Sequence, residues 1–391
     1  MDSGFSKEEE LLQWAVRDFA DRELAPKQIV RFDDSFRGMA RKLGELGFLG
    51  LKLPEEYGGD PASWVMFGIL VEEIARVNIG IAYYVLVTHE LASAIAKHGT
   101  DEARQEWLSS LLSGDKIGSI SVTEPNAGSD FTAIQAEATR DGDRYLVSGM
   151  KSPVSFGTEA DLSLIFARTG QGGKKGITAM LVPLALPGIE KARIGTVGLS
   201  VAAPGSLTFH RTPIPTSYRV GEEGDGFRVN TDCGLLSTVN QIASALISLG
   251  VAQTASKLAI RYAKERSAFG KPIARFEAIS NKIVEDMTAL EAGRWLCYRA
   301  LSMQDKGLSN AKEAAMCGWW CPKISFLAIQ NALLIHGHAG YCDDHPFEQM
   351  LKDVVGFEMI SGTEGILKLI IGNETIGPLA MPDTVVESIG L

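Results

Sequence analysis

Apolar residues recur at helical spacing through the first part of the chain. Behind Ser6-x-x-Glu9, which has the form of a capping box, Leu11, Leu12, Ala15, Val16 and Phe19 return every three or four positions. Pro26 ends that helix or restarts the next one. Residues 36–46 carry a second amphipathic pattern, closed by the loop 47–59 with Pro54 and the Gly58-Gly59 pair. Phe67, Leu70, Val71, Ile74 and Ala75, followed by the apolar run 83–96, predict two or more buried helices. Thr100-Asp101-Glu102 caps one more, which ends near Gly114.

From about Asp115 to Gly226 the period shortens. Leu162-Ser163-Leu164-Ile165-Phe166-Ala167, Ile177-Thr178-Ala179-Met180-Leu181-Val182 and Ser206-Leu207-Thr208-Phe209 are β-type runs. Turns such as Asp141-Gly142-Asp143 and the stretch 170–173 separate them, which predicts an antiparallel β-domain. Within it, Ile120-Ser121-Val122 alternates as a strand does, and Pro125 with Asn126-Ala127-Gly128 stops it, leaving backbone N–H groups free for a ligand. Helical periods return at 229–266, 274–306 and 310–335, the last with Pro322 as a kink or restart. The order is helical block, β block, helical block: residues 1–115, 116–226 and 227–391.

Composition narrows the function. A chain of 391 residues, 45% apolar and 22% charged, has material for two or three packed units. A formal net charge of −10 excludes a broad nucleic-acid surface. Cys233, Cys297, Cys317, Cys321 and Cys342 are scattered and odd in number, which suits a reducing compartment and a cytoplasmic protein. Cys317 and Cys321 lie one helical turn apart, but no second pair completes a zinc set, so no metal is expected. The acidic N-terminus has no apolar core of a signal peptide. The apolar stretch 241–260 carries Ser244, Ser248, Gln253 and Thr254, which suits close helix packing and not a membrane span.

Four motifs converge on one family. Ser121-Val122-Thr123-Glu124-Pro125-x-Ala127-Gly128-Ser129-Asp130, Arg266-Ser267-Ala268-Phe269-Gly270-Lys271, Gly337-x-x-Gly340-Tyr341 and Gly362-Thr363 resemble, in order and spacing, the acyl-CoA dehydrogenase flavoproteins. The resemblance implies an α+β fold: an N-terminal all-α domain, a middle antiparallel β-barrel and a C-terminal four-helix bundle. It further implies FAD as cofactor, an acyl-CoA or carrier-protein thioester as substrate, electron-transfer flavoprotein as acceptor, and a homotetramer or homodimer. Singly, Gly128, Gly337 and Gly362 are ordinary turn glycines. Jointly, at family spacing, they mark a flavin site.

By position, Val122, Thr123, Gly128 and Ser129 match family residues that contact the isoalloxazine and ribityl, with Ser129 also near the pantetheine arm. Ser155 stands where a threonine hydroxyl meets flavin N5, and Pro153 where a tryptophan usually screens the ring. Arg266, Phe269 and Gly337 match positions that hold the diphosphate and adenine from a neighbouring subunit, a task a guanidinium suits. Glu277 stands where the family usually has a glutamine, and the resemblance implies that Thr363 meets the cofactor's edge.

The base departs from the family pattern. Oxidation between Cα and Cβ needs a carboxylate to take a proton while the thioester oxygen is stabilised. The family's usual position, directly before the Gly-Thr pair, is Ser361; its second position, thirty residues before Gly270, is Asn240, followed by Gln241 in place of arginine. Neither Ser361 nor Asn240 acts as a base unaided. Ser361, Asn240 and Gln241 then become substrate contacts. Glu90, in Val87-Thr88-His89-Glu90-Leu91, aligns with the lining of the acyl pocket. It is either a helix-surface carboxylate beside His89 or a buried replacement base of raised pKa. In the second case a cyclic or unsaturated acyl group and a 1,4-dehydrogenation follow. His336 and His338 flank the Gly337 turn as loop or flavin-proximal residues, and Asp343, Asp344 and Glu364 are expected in solvent. Two rival readings keep the fold: a lyase or desulfinase without net oxidation, and a non-catalytic flavin scaffold.

Overall fold

The computed structural model describes residues 4–170, 172–377 and 379. The outermost ends of the first and last expected domains, and Gln171 in the 170–173 turn, lie outside them. The N-terminal block holds α1 (Lys7–Phe19), α2 (Asp34–Glu45), α3 (Trp64–Ala75), α4 (Ile79–His98) and α5 (Asp101–Leu112). The capping box forms: Glu9 N–H donates to Ser6 Oγ and Ser6 N–H to Glu9. Thr100 caps α5 as its sequence implied.

The middle block contains β1 (Gly118–Ser121), β2 (Glu137–Asp141), β3 (Arg144–Val154), β4 (Leu162–Arg168), β5 (Ile177–Pro183), β6 (Ile189–Arg193), β7 (Gly205–Pro215) and β8 (Arg219–Val220). They form one eight-stranded sheet in the order β6-β7-β3-β2-β4-β5-β8, with β1 added on β4. Most pairs are antiparallel as expected, but β1 runs parallel to β4, and β2 meets β4 in parallel at Glu137 and Arg168. β1 enters the sheet directly from the helical block, so it is not half of a hairpin. The path is open, ending on β6 and β8, which is two residues long. Register shifts between Val147 and Gly149, and between Lys151 and Val154, re-aim the end of β3 where the site begins.

The C-terminal block comprises α6 (Gly226–Cys233), α7 (Thr238–Glu265), the two-residue strands β9 (Ser267–Ala268) and β10 (Lys271–Pro272), α8 (Glu277–Asp305), α9 (Ala311–Ile335), α10 (Phe347–Val354), α11 (Phe357–Ile360) and α12 (Glu364–Ile376). α7, α8 and α9 pack on one another and α12 lies against α9, giving the expected C-terminal helical domain. The helical pattern from 229 is broken at Gly234, and Ser237 caps a new start by accepting from Asn240 N–H. Pro322 neither ends nor restarts α9, which runs through it; the carbonyl four residues back belongs to Gly318. α4 and the α6–α7 stretch are long and apolar enough to cross a membrane, yet 83% of each such window is buried inside the fold. α7 is the axis of the molecule, buried without interruption from Val239 to Ala252.

Candidate functional site

The ledge after β1 is held from beneath by an ion pair. Lys151 is fully buried, and its Nζ lies 2.7 Å from Glu124 Oε1 and 3.2 Å from the Val122 carbonyl. Burial pushes the Lys151 amine down to about 8, and Glu124 opposes that shift. The Glu124 carboxylate also accepts from the N–H groups of Gln135 and Ala136 at 2.6 and 3.0 Å, and Ser152 N–H donates to the Thr123 carbonyl at 2.8 Å. The carbonyls of Val122, Thr123, Glu124 and Ala127 each accept a hydrogen bond, while the N–H groups of Val122, Thr123, Gly128 and Ser129 point to no acceptor among the described residues. A Cβ on Gly128 would meet only the Thr123 methyl, at 3.9 Å. Lys151 was not singled out from sequence. The signal was present: alternation along β3 puts it on the buried face with Tyr145 and Val147.

At the end of β3 the Ser155 hydroxyl lies 3.0 Å from the Tyr83 hydroxyl of α4. Burial raises the Tyr83 phenol to about 12, with Glu90 adding to the shift. Tyr83 therefore links the strand end to the Glu90 neighbourhood. Its ring also packs edge-on against Phe357 of α11, four residues before Ser361.

A cavity of about 180 Å³ lies beside the ledge. Its open side has exposed Ser129 and Thr231; its inner end has buried Gln241, Ser361 and Leu367; Phe131, Phe227, Leu236 and Ile366 make apolar walls. Gln241 Oε1 and Ser361 Oγ are buried without a partner among the described residues. Glu90 and Asn240 do not line this space. They meet each other, Asn240 Nδ2 donating to Glu90 Oε1 at 2.7 Å across 150 residues of sequence. Glu90 Oε2 and Asn240 Oδ1 have no partner among the described residues. The helix-surface reading of Glu90 is thus corrected: the residue is 2% exposed, because α4 is buried on nearly all sides. Burial raises the carboxyl to about 8 against the Asn240 hydrogen bond, which lowers it. His89 turns away to Trp64 and Phe67, and burial lowers its imidazole to about 4.

Arg266, Phe269 and Gly337 gather elsewhere, at one end of the bundle. Arg266 N–H closes on the Tyr262 carbonyl, and the Tyr262 ring stacks at 4.3 Å on His336, next to Gly337. Phe269 has φ 49° and is 95% exposed on the turn between β9 and β10. No hydrogen bond or ring contact among the described residues joins this group to the ledge. Glu277 is exposed at the start of α8, and His338 is exposed. His336 is no open-loop residue but buried, its Nδ1 2.7 Å from the Ala332 carbonyl. Thr363 caps α12 with its side chain making no cap bond, and Glu364 pairs with Lys323 and Lys368, which hold its carboxyl down at about 2. Among the described residues no cluster of three His, Cys, Asp or Glu side chains could hold a metal.

The ledge fits a flavin: its unpaired N–H donors suit the acceptor-rich edge of the ring, and open Gly128 admits close approach. Comparison with known proteins points the same way. Family models for the acyl-CoA dehydrogenase N-terminal, middle and C-terminal domains match residues 6–115, 119–212 and 224–376. An acyl-CoA dehydrogenase of Bacillus subtilis is 32% identical over 380 residues, 95% of this chain and 99% of the relative. A glutaryl-coenzyme A dehydrogenase solved with glutaryl-CoA superposes with a TM-score of 0.91 at 30% identity, over 96% of this chain and 97% of that one. A chain described as electron transferring flavoprotein of Acidaminococcus fermentans superposes with a TM-score of 0.90 at 29% identity, over 96% and 99%.

Proposed function

The chain belongs to the acyl-CoA dehydrogenase family, and from that premise we propose that this FAD-dependent acyl-CoA oxidoreductase takes a cyclic or unsaturated acyl group and uses Glu90 as its base. FAD, when bound, supplies the hydride acceptor. Val122, Thr123, Gly128, Ser129, Ser155 and Thr363 would hold its ring and ribityl chain; Arg266, Phe269 and Gly337 of a second copy would hold its diphosphate and adenine. Exposed Phe269, Leu334 and Tyr341 near that end of the bundle support a homodimer or homotetramer.

The observation that carries the reading is the state of Glu90. Its carboxyl is buried and raised to about 8, oriented by Asn240 on one oxygen and unpaired on the other. A carboxylate with that pKa is a competent base near neutral pH. Asn240 positions it and leaves Oε2 to receive the proton. Glu90 is joined through Asn240 to the stretch of α7 that supplies Gln241 to the cavity, and a base set apart from the usual position suits a proton further along the acyl group than Cα, as 1,4-dehydrogenation requires. Anaerobic mixing of the holoenzyme with a thioester panel tests this. Cyclohexene-carboxyl-CoA should bleach the flavin and Glu90→Gln should stop it; a panel in which no acyl-CoA bleaches the flavin counts against the proposal.

One observation favours a second reading. Among the described residues no carboxylate lines the cavity, which suits base-free cleavage of a β-substituent by a lyase- or desulfinase-like reaction. Repeated turnover without an electron acceptor separates the two. Electron-transfer flavoprotein is the proposed acceptor, supported by the Acidaminococcus neighbour. Pro153, exposed beside the ledge, leaves that docking face without the tryptophan usual in the family. All five cysteines are free, which supports a cytoplasmic setting.

A further inference from the structure

We propose that the acyl group taken by this protein carries a hydroxyl, held at the inner end of the cavity by Gln241 and Ser361. The inference rests on the acyl-thioester reading above and names the chemistry of the group that reading leaves open. Gln241 is 6% exposed and Ser361 2%, both line the cavity, and Gln241 Oε1 and Ser361 Oγ have no partner among the described residues. Buried polar atoms left unpaired are costly, and an occupant of pure hydrocarbon would exclude water from them without replacing it. A hydroxyl can donate to Gln241 Oε1 and accept from Ser361 Oγ. Among the described residues the lining includes no Lys, Arg, His, Asp or Glu, so a carboxylate substituent would find no cation there, and a cationic one no anion on the wall.

The direction of entry assigns these two residues to the acyl end. A cavity of about 180 Å³ cannot enclose a nucleotide, so the carrier must stay outside the open side, where Ser129 and Thr231 are exposed. The far end of the thioester then lies against Gln241 and Ser361. Apolar Phe131, Phe227, Leu236 and Ile366 leave the rest of the space suited to hydrocarbon. The arrangement is an apolar sleeve with a neutral polar stop.

The test uses thioethers of coenzyme A, which lack the carbonyl needed for oxidation, so binding is read apart from chemistry. The cyclohexylmethyl thioether and its ring-hydroxylated forms at the 2, 3 and 4 positions are titrated into FAD-loaded protein by calorimetry. At least one hydroxylated form should bind about tenfold tighter than the parent, the discrimination one buried hydrogen bond to a neutral partner supports. Gln241→Met and Ser361→Ala, singly and together, should bring that ratio close to one; the single variants carry the test if the pair loses its flavin. A parent that binds as tightly as every hydroxylated form overturns the inference. So does a preference that survives the variants, or a loss equal for parent and hydroxylated forms, which would assign Gln241 and Ser361 to the pantetheine arm. Failure of every CoA thioether to bind removes the acyl-thioester reading itself. A retained hydroxyl preference with no bleaching by the matching thioesters removes only the dehydrogenation.

Discussion

Two buried carboxylates, Glu124 and Glu90, show opposite solutions to one problem. Glu124 has the Lys151 ammonium and two backbone N–H groups around it, so its charge is matched inside the fold. Glu90 has one amide donor and an oxygen with no partner among the described residues, and Gln241 Oε1 and Ser361 Oγ are likewise unmatched there. The first arrangement is complete without a ligand and serves to hold the ledge in shape. The second is incomplete, and its unmet hydrogen bonds are what an occupant would satisfy. The contrast separates a carboxylate that holds the ledge from one proposed to act as base.

The sharpest way to break the comparison is to neutralise the incomplete carboxylate. Glu90→Gln should lower kcat about 10³-fold, within the range for loss of a general base, while flavin content measured by absorbance is retained. An unchanged kcat would return Glu90 to a packing role. Next in size, Lys151→Met should cost about 3 kcal/mol in denaturant unfolding, since it strands a buried carboxylate, and flavin should be retained less well. Glu124 keeps its two N–H donors, which sets the loss at the low end for a broken buried pair.

A smaller effect follows from pH. Glu90 acts as a base only when ionised, and burial has raised its carboxyl to about 8. The raised value makes kcat/KM climb with pH, by about tenfold from pH 7 to pH 9, and this limb should vanish in Glu90→Gln. A profile flat across that window points to a different base or none. The smallest expected change sharpens the ledge side: Gly128→Ala should alter the stability of the FAD-free protein by under about 0.5 kcal/mol, because the added methyl meets nothing closer than 3.9 Å. FAD affinity should nevertheless fall, since the proposed flavin placement uses that space; unaltered affinity would move the flavin off Gly128.

Much of the architecture is local and therefore readable. Ser6-x-x-Glu9 closes on itself within one turn, Thr100 caps the helix that follows it, and Gly and Pro punctuate the strands. The family motifs located the ledge for the same reason, since Val122 to Ser129 is a continuous stretch. The break before α7 was missed although Gly234 and the Ser237 cap are local signals, and the passage of α9 through Pro322 was left open because a single Pro is decided by its neighbours in space. Glu90 had two readings because glutamate is rarely buried and nothing adjacent to it in the chain says otherwise. Lys151 was overlooked although strand alternation placed it inside.

By itself, then, the order of residues determined the three blocks, the helix starts and the Gly-rich turn, since each depends on periodicity and hydrogen bonds among near neighbours. Tertiary structure alone decided which charges are met. Asn240 reaches Glu90 across 150 residues, and Gln241 and Ser361 share one cavity wall only because α7 and the segment before α12 pack side by side. Burial and partnership set a carboxyl's pKa, and both are properties of the assembled core.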